Sequence, residues 1–243
     1  MNDSKEVALC VTCIVDQVLP EIGVATVKLL REAGYKVAFP QEQTCCGQPF
    51  FNSGFRPQSV TLAQRTIEIF EPYPAVVLPS GSCTTMIRVE YPHLLEPWPD
   101  WHERAQQLAA KTYELSEFLV NQAGWQPDIV SGSIANTVTY HDSCHMCRLL
   151  HIQSEPRQLL AESGRPIQEM QESDRCCGFG GLFSLRMAEV SDEMTAEKLR
   201  LAQQSGASTL VTADPGCLMH MRSVAGEGGL KIEHLATILA ERI

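Results

Sequence analysis

The sequence predicts an α/β protein built from two similar repeats. Each repeat is expected to contain a small, mostly parallel sheet with a cysteine-rich site at the carboxyl ends of its strands. Two observations lead to this prediction. Short apolar segments alternate with segments of helical periodicity, and a cysteine pattern recurs after a constant offset of 131 residues. Such internal repetition indicates that one structural unit is used twice.

The first repeat is predicted to begin with a buried strand at Val7–Cys10, which is a short apolar run. Val18–Ala33 then has the apolar spacing of a helix, and Gly34 supplies a stop signal. The next elements are predicted to be the strand Tyr35–Phe39, the helix Val60–Phe70 and the strand Ala75–Leu78. Strands that alternate with helices favour a parallel sheet.

The second repeat is predicted to have the same order of elements. These are the strand Thr137–Tyr140, the helix Glu155–Glu162, a weak strand at Ile167–Met170, the long helix Met187–Gln204 and the strand Thr209–Thr212. Glycine, proline and serine interrupt the periodicity between the repeats, so residues 125–135 are predicted to be a linker. The two domains are accordingly predicted at residues 1–124 and 136–243. Pro92–Gln107 has no counterpart in the second repeat and is predicted to be a surface loop.

Composition argues against two functional classes. The formal net charge is −10 and no cluster of lysine and arginine is visible, so a nucleic-acid partner is not expected. The first ten residues contain no apolar segment of the length found in a signal peptide, and no apolar run approaches the roughly 20 residues that span a bilayer. Neither secretion nor membrane insertion is therefore expected. We expect a cytoplasmic protein, since clustered cysteines in a reducing compartment indicate metal or redox chemistry rather than disulfides.

Eight of the ten cysteines form two matching sets. In each set, 31 residues separate the first cysteine from a Cys-Cys-Gly triplet, and the last cysteine follows a glycine or lies two residues beyond one. The first set is Cys13, Cys45, Cys46 and Cys83, and the second set is Cys144, Cys176, Cys177 and Cys217. Each of these positions follows a predicted strand. The loops at the carboxyl edge of each sheet are therefore expected to bring one set together.

Four thiolates in a repeat would satisfy either a tetrahedral zinc ion or an iron–sulfur cluster. Structural zinc sites usually use short Cys-x-x-Cys pairs, whereas these ligands are about 30 residues apart and include adjacent pairs. The spacing favours iron–sulfur chemistry. Zinc stays open as an alternative, and the chain would then be a structural or docking module.

The cysteine sets belong to longer motifs, and these motifs resemble a known family. They are Val11-Thr12-Cys13, Thr44-Cys45-Cys46-Gly47-Gln48-Pro49, Asn52-Ser53-Gly54, Pro79-Ser80-Gly81-Ser82-Cys83-Thr84-Thr85-Met86, Tyr91-Pro92-His93, His145-Met146, Cys176-Cys177-Gly178-Phe179-Gly180-Gly181 and Gly216-Cys217-Leu218-Met219. The paired Cys-Cys-Gly triplets are similar to the CCG domains of heterodisulfide reductase and of the iron–sulfur components of glycolate and glycerol-3-phosphate oxidases. Over nearly its whole length the chain more closely resembles the lactate-utilisation protein A family, which is also known as a component of the L-lactate dehydrogenase complex.

This resemblance implies a cytoplasmic component of a multiprotein system that oxidises L-lactate to pyruvate. The implied partners are a ferredoxin-like iron–sulfur protein and a third small protein of that system. The chain's implied task is electron transfer within an oxidoreductase of the L-lactate dehydrogenase type. Its eight cysteines would hold up to one four-iron cluster in each repeat. A thiol- or disulfide-reducing role, like that of heterodisulfide reductase, is an alternative.

The sequence departs from the heterodisulfide reductase pattern once in each repeat. In that family the last motif is Cys-x-x-Cys, and its second thiol helps to hold a noncubane four-iron cluster. Here Met86 and His220 occupy that position. The cluster type therefore stays open between a cubane, a modified cluster and zinc, and the imidazole of His220 could act as a ligand.

Two histidines and two cysteines remain beside these sets. His141 and His145 flank Cys144 and could bind metal, donate hydrogen bonds to sulfur or carry protons. Cys10 and Cys147 break the repeat, because His141 and Asp16 occupy the equivalent positions. We expect Cys10 and Cys147 to be buried free cysteines rather than ligands.

Overall fold

The fold contains two sheets in which every strand pair is parallel. The structure is a computed structural model, and it describes residues 5–127, 136–226 and 229–241. The first sheet has the order β2-β1-β3-β4 and the second has the order β5-β6-β7. The strands are β1 Glu6–Leu9, β2 Lys36–Ala38, β3 Val76–Leu78, β4 Thr112–Glu114, β5 Val138–Tyr140, β6 Thr209–Thr212 and β7 Lys231–His234. The predicted α/β class with two small parallel sheets is confirmed.

Helices connect the strands and cover the sheets. In the described ranges they are α1 Cys13–Val18, α2 Pro20–Glu32, α3 Gln48–Asn52, α4 Arg56–Phe70, α5 Gly81–Thr85, α6 Tyr91–Leu95, α7 Pro99–Ala109, α8 Leu115–Glu117, α9 Ser154–Glu162, α10 Leu182–Arg186, α11 Ala188–Gln204, α12 Pro215–Ala225 and α13 Leu235–Ala240, with π-helical turns at Met86–Glu90, Phe118–Ala123 and His145–Leu150. Among the described residues, no helix combines the length and the apolar character that crossing a membrane requires.

Two local predictions are wrong. Ile167–Met170 is not a strand, because only Ile167 forms a parallel bridge, to Val138. Three residues later, the backbone N–H of Met170 donates to the Thr139 hydroxyl, so the hydrogen-bond ladder with β5 does not continue. Pro92–Gln107 is largely helical in α6 and α7 rather than a loop, because Leu95 and Ala105 are buried in the core of the first repeat.

The two repeats have equivalent sheets. Strands β1, β3 and β4 correspond in order to β5, β6 and β7, and the bridge at Ile167 takes the place of β2 beside β5. The short strands β4 and β7 are not predicted from the sequence. Residues 128–135, most of the predicted linker, lie outside the described residues.

The repeats share one hydrophobic core. Helix α2 of the first repeat packs against α13 of the second. The same cluster of buried side chains includes Leu9 and Leu30 from the first repeat and Val138 and Leu239 from the second. A second cluster belongs to the first repeat alone and contains its buried cysteines. Because burial of apolar area is the main stabilising contribution to folding, each repeat depends on the other for part of its core.

Candidate metal centres

All eight predicted cysteine ligands line one cavity of about 160 Å³. Both repeats contribute to its wall, which holds Cys13, Cys45, Cys46, Cys83, Cys144, Cys176, Cys177 and Cys217. All of the ten cysteines, which lie within the described ranges, are free thiols. Cys10 and Cys147 are buried, and neither belongs to the part of the cavity wall that the structure describes. The structure therefore brings the two sets to one common cavity.

The sheet topology explains this convergence. Cys13 begins α1 just after β1, and Cys83 lies in the first turn of α5 just after β3. In the second repeat Cys217 lies in the first turn of α12, just after β6. Helix α5 packs against the π-helical turn His145–Leu150 of the other repeat, and α1 packs against α12. These contacts join elements that contain or adjoin cysteines of the two sets. The carboxyl edges of the two sheets therefore lie close to each other.

The first set forms a connected group of thiols. The Sγ atoms of Cys46 and Cys83 are 3.2 Å apart. The backbone N–H of Gly47 donates to the Sγ of Cys45 at 3.4 Å. Hydrogen bonds from the thiols of Cys13 and Cys46 lower the pKa of Cys45 to about 3. Donation to Cys45 raises the pKa of both neighbouring thiols, with burial adding to the rise.

The second set has the same arrangement. The Sγ atoms of Cys177 and Cys217 are 3.0 Å apart, and the N–H of Gly178 donates to the Sγ of Cys176 at 3.4 Å. Hydrogen bonds from Cys144 and Cys177 lower the pKa of Cys176 to about 2. Each repeat therefore stabilises a thiolate at the first cysteine of its Cys-Cys-Gly triplet, and thiolate is the form that binds metal.

The glycine of each triplet is required by the backbone. Gly47 and Gly178 both have φ of 88°, a left-handed conformation that disfavours any side chain. At Gly178, an added Cβ would also lie 2.5 Å from the carbonyl oxygen of Ser191. Without a side chain at Gly178, the triplet approaches Ser191 closely enough for the Ser191 hydroxyl to donate to the Gly178 carbonyl, at 2.9 Å. The triplet is thereby fixed against the helix that covers it.

Asp214 joins the two sets across the cavity. Its Oδ1 atom accepts hydrogen bonds from the N–H groups of Gly216 and Cys217, so it is the N-cap of α12. Its Oδ2 atom accepts a hydrogen bond from the N–H of Ser82, in α5 of the other repeat, at 2.7 Å. One buried carboxylate therefore holds the starts of the two helices that carry Cys83 and Cys217.

The three histidines predicted as secondary candidates lie in different surroundings. His145 lines the cavity, with Nδ1 3.7 Å from the Sγ of Cys144 and Nε2 3.2 Å from Nε2 of Gln48. His220 lies outside the cavity wall, and its Nε2 is 2.9 Å from the hydroxyl of Ser191. His141 is buried and also lies outside the cavity wall, and burial lowers the pKa of its imidazole to about 3. One of its ring nitrogens and the Sγ atoms of Cys177 and Cys217 all lie within 4.8 Å of one another.

The donor set fits a metal centre in each repeat. Four thiols approach one another in each half, and cysteine sulfur suits zinc and iron–sulfur clusters rather than magnesium or calcium. The cavity also offers much more room than the roughly 10–15 Å³ that one water needs. Both Met86 and His220 lie outside the cavity wall. The fifth donor of the heterodisulfide reductase pattern is therefore absent from the part of the wall that the structure describes.

The fold and the site define a protein with paired cysteine-rich domains. Residues 7–88 and 138–222 match the family described as the CCG cysteine-rich domain. A relative named lactate utilization protein A, from Bacillus subtilis (strain 168), is 44% identical, with 98% of this chain and 100% of the relative covered. The protein of the same name from Exiguobacterium sp. (strain ATCC BAA-1283 / AT1b) is 43% identical, with 98% of each chain covered. The chain therefore belongs to the lactate-utilisation protein A family.

The fold is also found in a solved structure. The crystal structure of a hypothetical protein from Helicobacter pylori matches 99% of this chain with a TM-score of 0.73. This chain spans 49% of that protein's length, and the sequence identity is 11%. At this low identity the likeness concerns the fold alone.

The sequence interpretation missed two polar residues that organise the site. One is Asp214, although Asp-Pro at a helix start is a recognisable N-cap signal. The other is Gln48, whose side-chain amide donates to the carbonyl of Ser82 and lies beside His145 of the other repeat. No local pattern identifies a residue that reaches across two repeats, because that contact depends on how the repeats pack.

Proposed function

We propose that this chain is the iron–sulfur electron-transfer component of a system that oxidises L-lactate to pyruvate. The relatives' name, lactate utilization protein A, supports a role in lactate utilisation. The observation that carries the redox part of the proposal is the arrangement of two four-thiol sets around one cavity. Oxidation of lactate to pyruvate releases two electrons and two protons. Two one-electron centres that face each other are suited to passing such a pair.

The ligands would be the two cysteine sets. One centre would be held by Cys13, Cys45, Cys46 and Cys83, and the other by Cys144, Cys176, Cys177 and Cys217. When bound, an iron–sulfur cluster supplies reversible one-electron transfer at a potential that its surroundings set. The chain's own contribution is to hold thiolates in place. The N–H groups of Gly47 and Gly178 donate to Cys45 and Cys176, and hydrogen bonds to cluster sulfur are among the interactions that tune the potential.

The charge of the cavity wall supports electron transfer rather than lactate oxidation within this chain. Among the described residues, the wall contains no lysine or arginine, and it includes the carboxylate of Asp214. Carboxylate substrates are usually held by arginine or lysine. A lactate anion would therefore meet an acidic residue and no cationic side chain, so we propose that lactate is oxidised on another protein of the system.

The proposed partners are a ferredoxin-like iron–sulfur protein and a third small protein of the same system. An apolar surface adjoins the cavity and supports docking of the iron–sulfur partner. Phe50, Phe55 and Leu185 are exposed on this surface, and Leu185 is 79% exposed. Phe179 and Gly181 line both this surface and the cavity. A partner bound there would lie close to the cysteine sets, and exposed apolar patches of this kind mark interaction sites.

Metal analysis after anaerobic purification tests the proposed function. The protein is purified without oxygen, and its iron, acid-labile sulfide and zinc are measured per chain. EPR spectra are then recorded before and after reduction with dithionite. We expect iron and sulfide in equal amounts and a signal that changes on reduction. Stoichiometric zinc without sulfide would overturn the redox proposal in favour of a structural or docking module.

A further inference from the structure

We propose that His141 binds the metal of the second centre through a ring nitrogen, together with cysteines of that repeat that include Cys177 and Cys217. This inference rests on the proposed function only in so far as the second cysteine set holds a metal. His141 directly follows strand β5 and lies three residues before Cys144, the first cysteine of the set. The eight-cysteine pattern does not include this position.

The position of the imidazole supports a ligand role. A His141 ring nitrogen lies within 4.8 Å of the Sγ atoms of both Cys177 and Cys217, while those two sulfurs are 3.0 Å apart. A histidine nitrogen and two thiolates at such distances are a common donor combination for zinc. They also occur together in iron–sulfur sites in which imidazole replaces thiolate on one iron.

The buried imidazole of His141 has no hydrogen bond among the described residues that would account for its burial. His141 is 1% exposed, and neither of its ring nitrogens has a hydrogen-bond partner among the described residues. Leaving a buried polar group unpaired costs about 1–3 kcal/mol, so such groups usually have a role that compensates. A metal bound at one nitrogen would satisfy it directly.

Two other buried histidines provide the comparison. His234 accepts a hydrogen bond at Nδ1 from the N–H of Ala236 and is the N-cap of α13. The Nε2 of His220 is within hydrogen-bond distance of the Ser191 hydroxyl. Each of them therefore has a partner at one ring nitrogen, although the Nε2 of His234 has none, whereas both ring nitrogens of His141 lack a hydrogen-bond partner among the described residues and the cysteine sulfurs lie nearby.

The first repeat differs at the same position. Cys10 precedes His141 by the repeat offset of 131 residues and packs in the apolar cluster that includes Cys46 and Cys83. The second repeat also contains Lys198, a buried residue whose ammonium group donates to the carbonyls of Glu172 and Ser173, just before the Cys176 loop. The ammonium group of Lys198 adds positive charge near the second centre, and a neutral imidazole ligand does not add the negative charge that a thiolate ligand would. Because lower negative charge favours reduction, we expect the second centre to have the higher reduction potential.

The test measures whether nitrogen is bound to metal. The full chain is expressed with ¹⁵N-labelled histidine, purified anaerobically and reduced, and its nitrogen hyperfine couplings are recorded by pulsed EPR. Three proteins are compared: wild type, His141→Cys and His234→Gln. The first variant gives the second repeat the residue that the first repeat has, and the second removes a buried histidine outside the cysteine group.

We expect a coupling typical of directly bound histidine nitrogen in wild type and His234→Gln, and its loss in His141→Cys with iron content kept. The reduction potential of the second centre should fall in His141→Cys. If His141→Cys fails to fold, His145→Gln replaces it, because the Nδ1 of His145 is 3.7 Å from the Sγ of Cys144: a coupling that persists in His145→Gln supports His141, and its loss there overturns the inference. Full iron content without such a coupling in wild type would overturn the inference.

Zinc in the second repeat would separate this inference from the proposed function. In that case X-ray absorption at the zinc edge should reveal one nitrogen neighbour in wild type that disappears in His141→Cys. This outcome would support His141 as a ligand while contradicting an iron–sulfur centre in that repeat. An all-sulfur zinc shell in wild type would overturn the inference.

Discussion

Cys45 and Cys176 occupy the same place in the two repeats. Each accepts hydrogen bonds from a neighbouring cysteine and from the N–H of the glycine two residues later. Both lie in the half-buried part of the cavity wall. The two cysteine sets therefore have equivalent local environments, and both line one cavity.

Replacing Cys45 or Cys176 by serine should remove the metal of its own repeat and spare the other. Serine keeps the size of the side chain but loses the thiolate that the metal requires, so metal content per chain should fall by roughly half. Metal analysis and EPR of each variant check this prediction. Cys147→Ser is the matched control, since Cys147 lies outside the cavity wall and should leave both centres intact. Loss of both centres in either single variant would indicate one shared site.

Much of the residue-level site could be predicted from sequence because a repeated pattern is visible without a structure. The offset between the repeats separates the eight cavity cysteines from Cys10 and Cys147. Which atoms donate to which thiol could not be predicted. The distinct surroundings of His141 and His220 depend on packing between elements that are far apart in sequence.

At the scale of elements, the helix starts beside the cavity are linked by one carboxylate. Asp214 caps α12 in its own repeat and accepts a hydrogen bond from Ser82 in α5 of the other. Ser80, by contrast, caps α5 alone, through the N–H of Cys83. A substitution of Asp214 should therefore alter the positions of cysteines in both sets, whereas a substitution of Ser80 should alter the first set only.

Asp214→Ala should destabilise the fold by about 1–2 kcal/mol through loss of the helix cap. The same variant should alter the EPR signals of both centres, because α5 and α12 each lose a hydrogen-bond acceptor. Ser80→Ala is the control and should alter the first centre only. Thermal unfolding and EPR spectra of the two variants measure these effects. An Asp214→Ala spectrum in which only the second centre changes would contradict the proposed link.

The last strands of the two repeats end in a matching pair of buried caps. Glu114 ends β4 and accepts a hydrogen bond from the N–H of Ser116, and His234 ends β7 and accepts one from Ala236. Burial raises the pKa of Glu114 to about 7 from 4.5 and lowers the pKa of His234 to about 4 from 6.5. Both groups favour the neutral form, but their effects on stability have opposite signs.

Between pH 4.5 and 7 the folded state binds more protons at Glu114 than the unfolded state, so this group lowers stability as the pH rises. Between pH 4 and 6.5 the unfolded state binds more protons at His234, so that group raises stability as the pH rises. The two effects oppose each other in the wild-type protein. Comparing wild type with a variant that lacks one of the two groups isolates the effect of that group.

Glu114→Gln should therefore gain stability relative to wild type as the pH rises from 5 to 7, by an amount on the order of 2 kcal/mol. His234→Gln should lose stability relative to wild type over pH 4 to 6.5. Thermal unfolding midpoints measured across this pH range check both signs. Parallel pH curves for wild type and Glu114→Gln would contradict a raised pKa for Glu114.

Element prediction succeeded where apolar periodicity is strong and failed where tertiary contacts decide. Helix α11 matches the predicted range to within one residue, and β1 is displaced by one residue. Strands β4 and β7 are only three and four residues long, so they give almost no periodic signal. Ile167–Met170 alternates little in polarity and is predicted only as a weak strand, and there the Thr139 hydroxyl accepts the hydrogen bond of Met170 that a strand ladder would use.

At the scale of the whole molecule, the two repeats form one structure with a joint core and a joint cavity. Helices α2 and α13 pack across the boundary on one side, and α1 packs against α12 beside the cysteines. A side chain at Gly81 would overlap Met146 of the other repeat, so this close approach requires glycine. The domain bounds at residues 1–124 and 136–243 stay a prediction.

The apolar surface beside the cavity gives a prediction at the same scale. Leu185→Glu places a charge on the exposed surface next to Phe50 and Phe55. Because a buried charge opposes apolar association, the variant should weaken binding of the iron–sulfur partner by about tenfold or more. Val24→Glu is a control at an exposed position away from this surface. Titration of the partner with each variant measures the effect, and equal affinities would contradict docking at this surface.

We propose that two iron–sulfur centres, one from each repeat, face each other across one cavity. EPR of the fully reduced protein tests this claim, because two nearby paramagnetic centres broaden each other's signals. We expect the wild-type spectrum to be broader than the sum of the Cys45→Ser and Cys176→Ser spectra, with narrow signals in each variant. A wild-type spectrum equal to that sum, or zinc in both repeats, would contradict the claim.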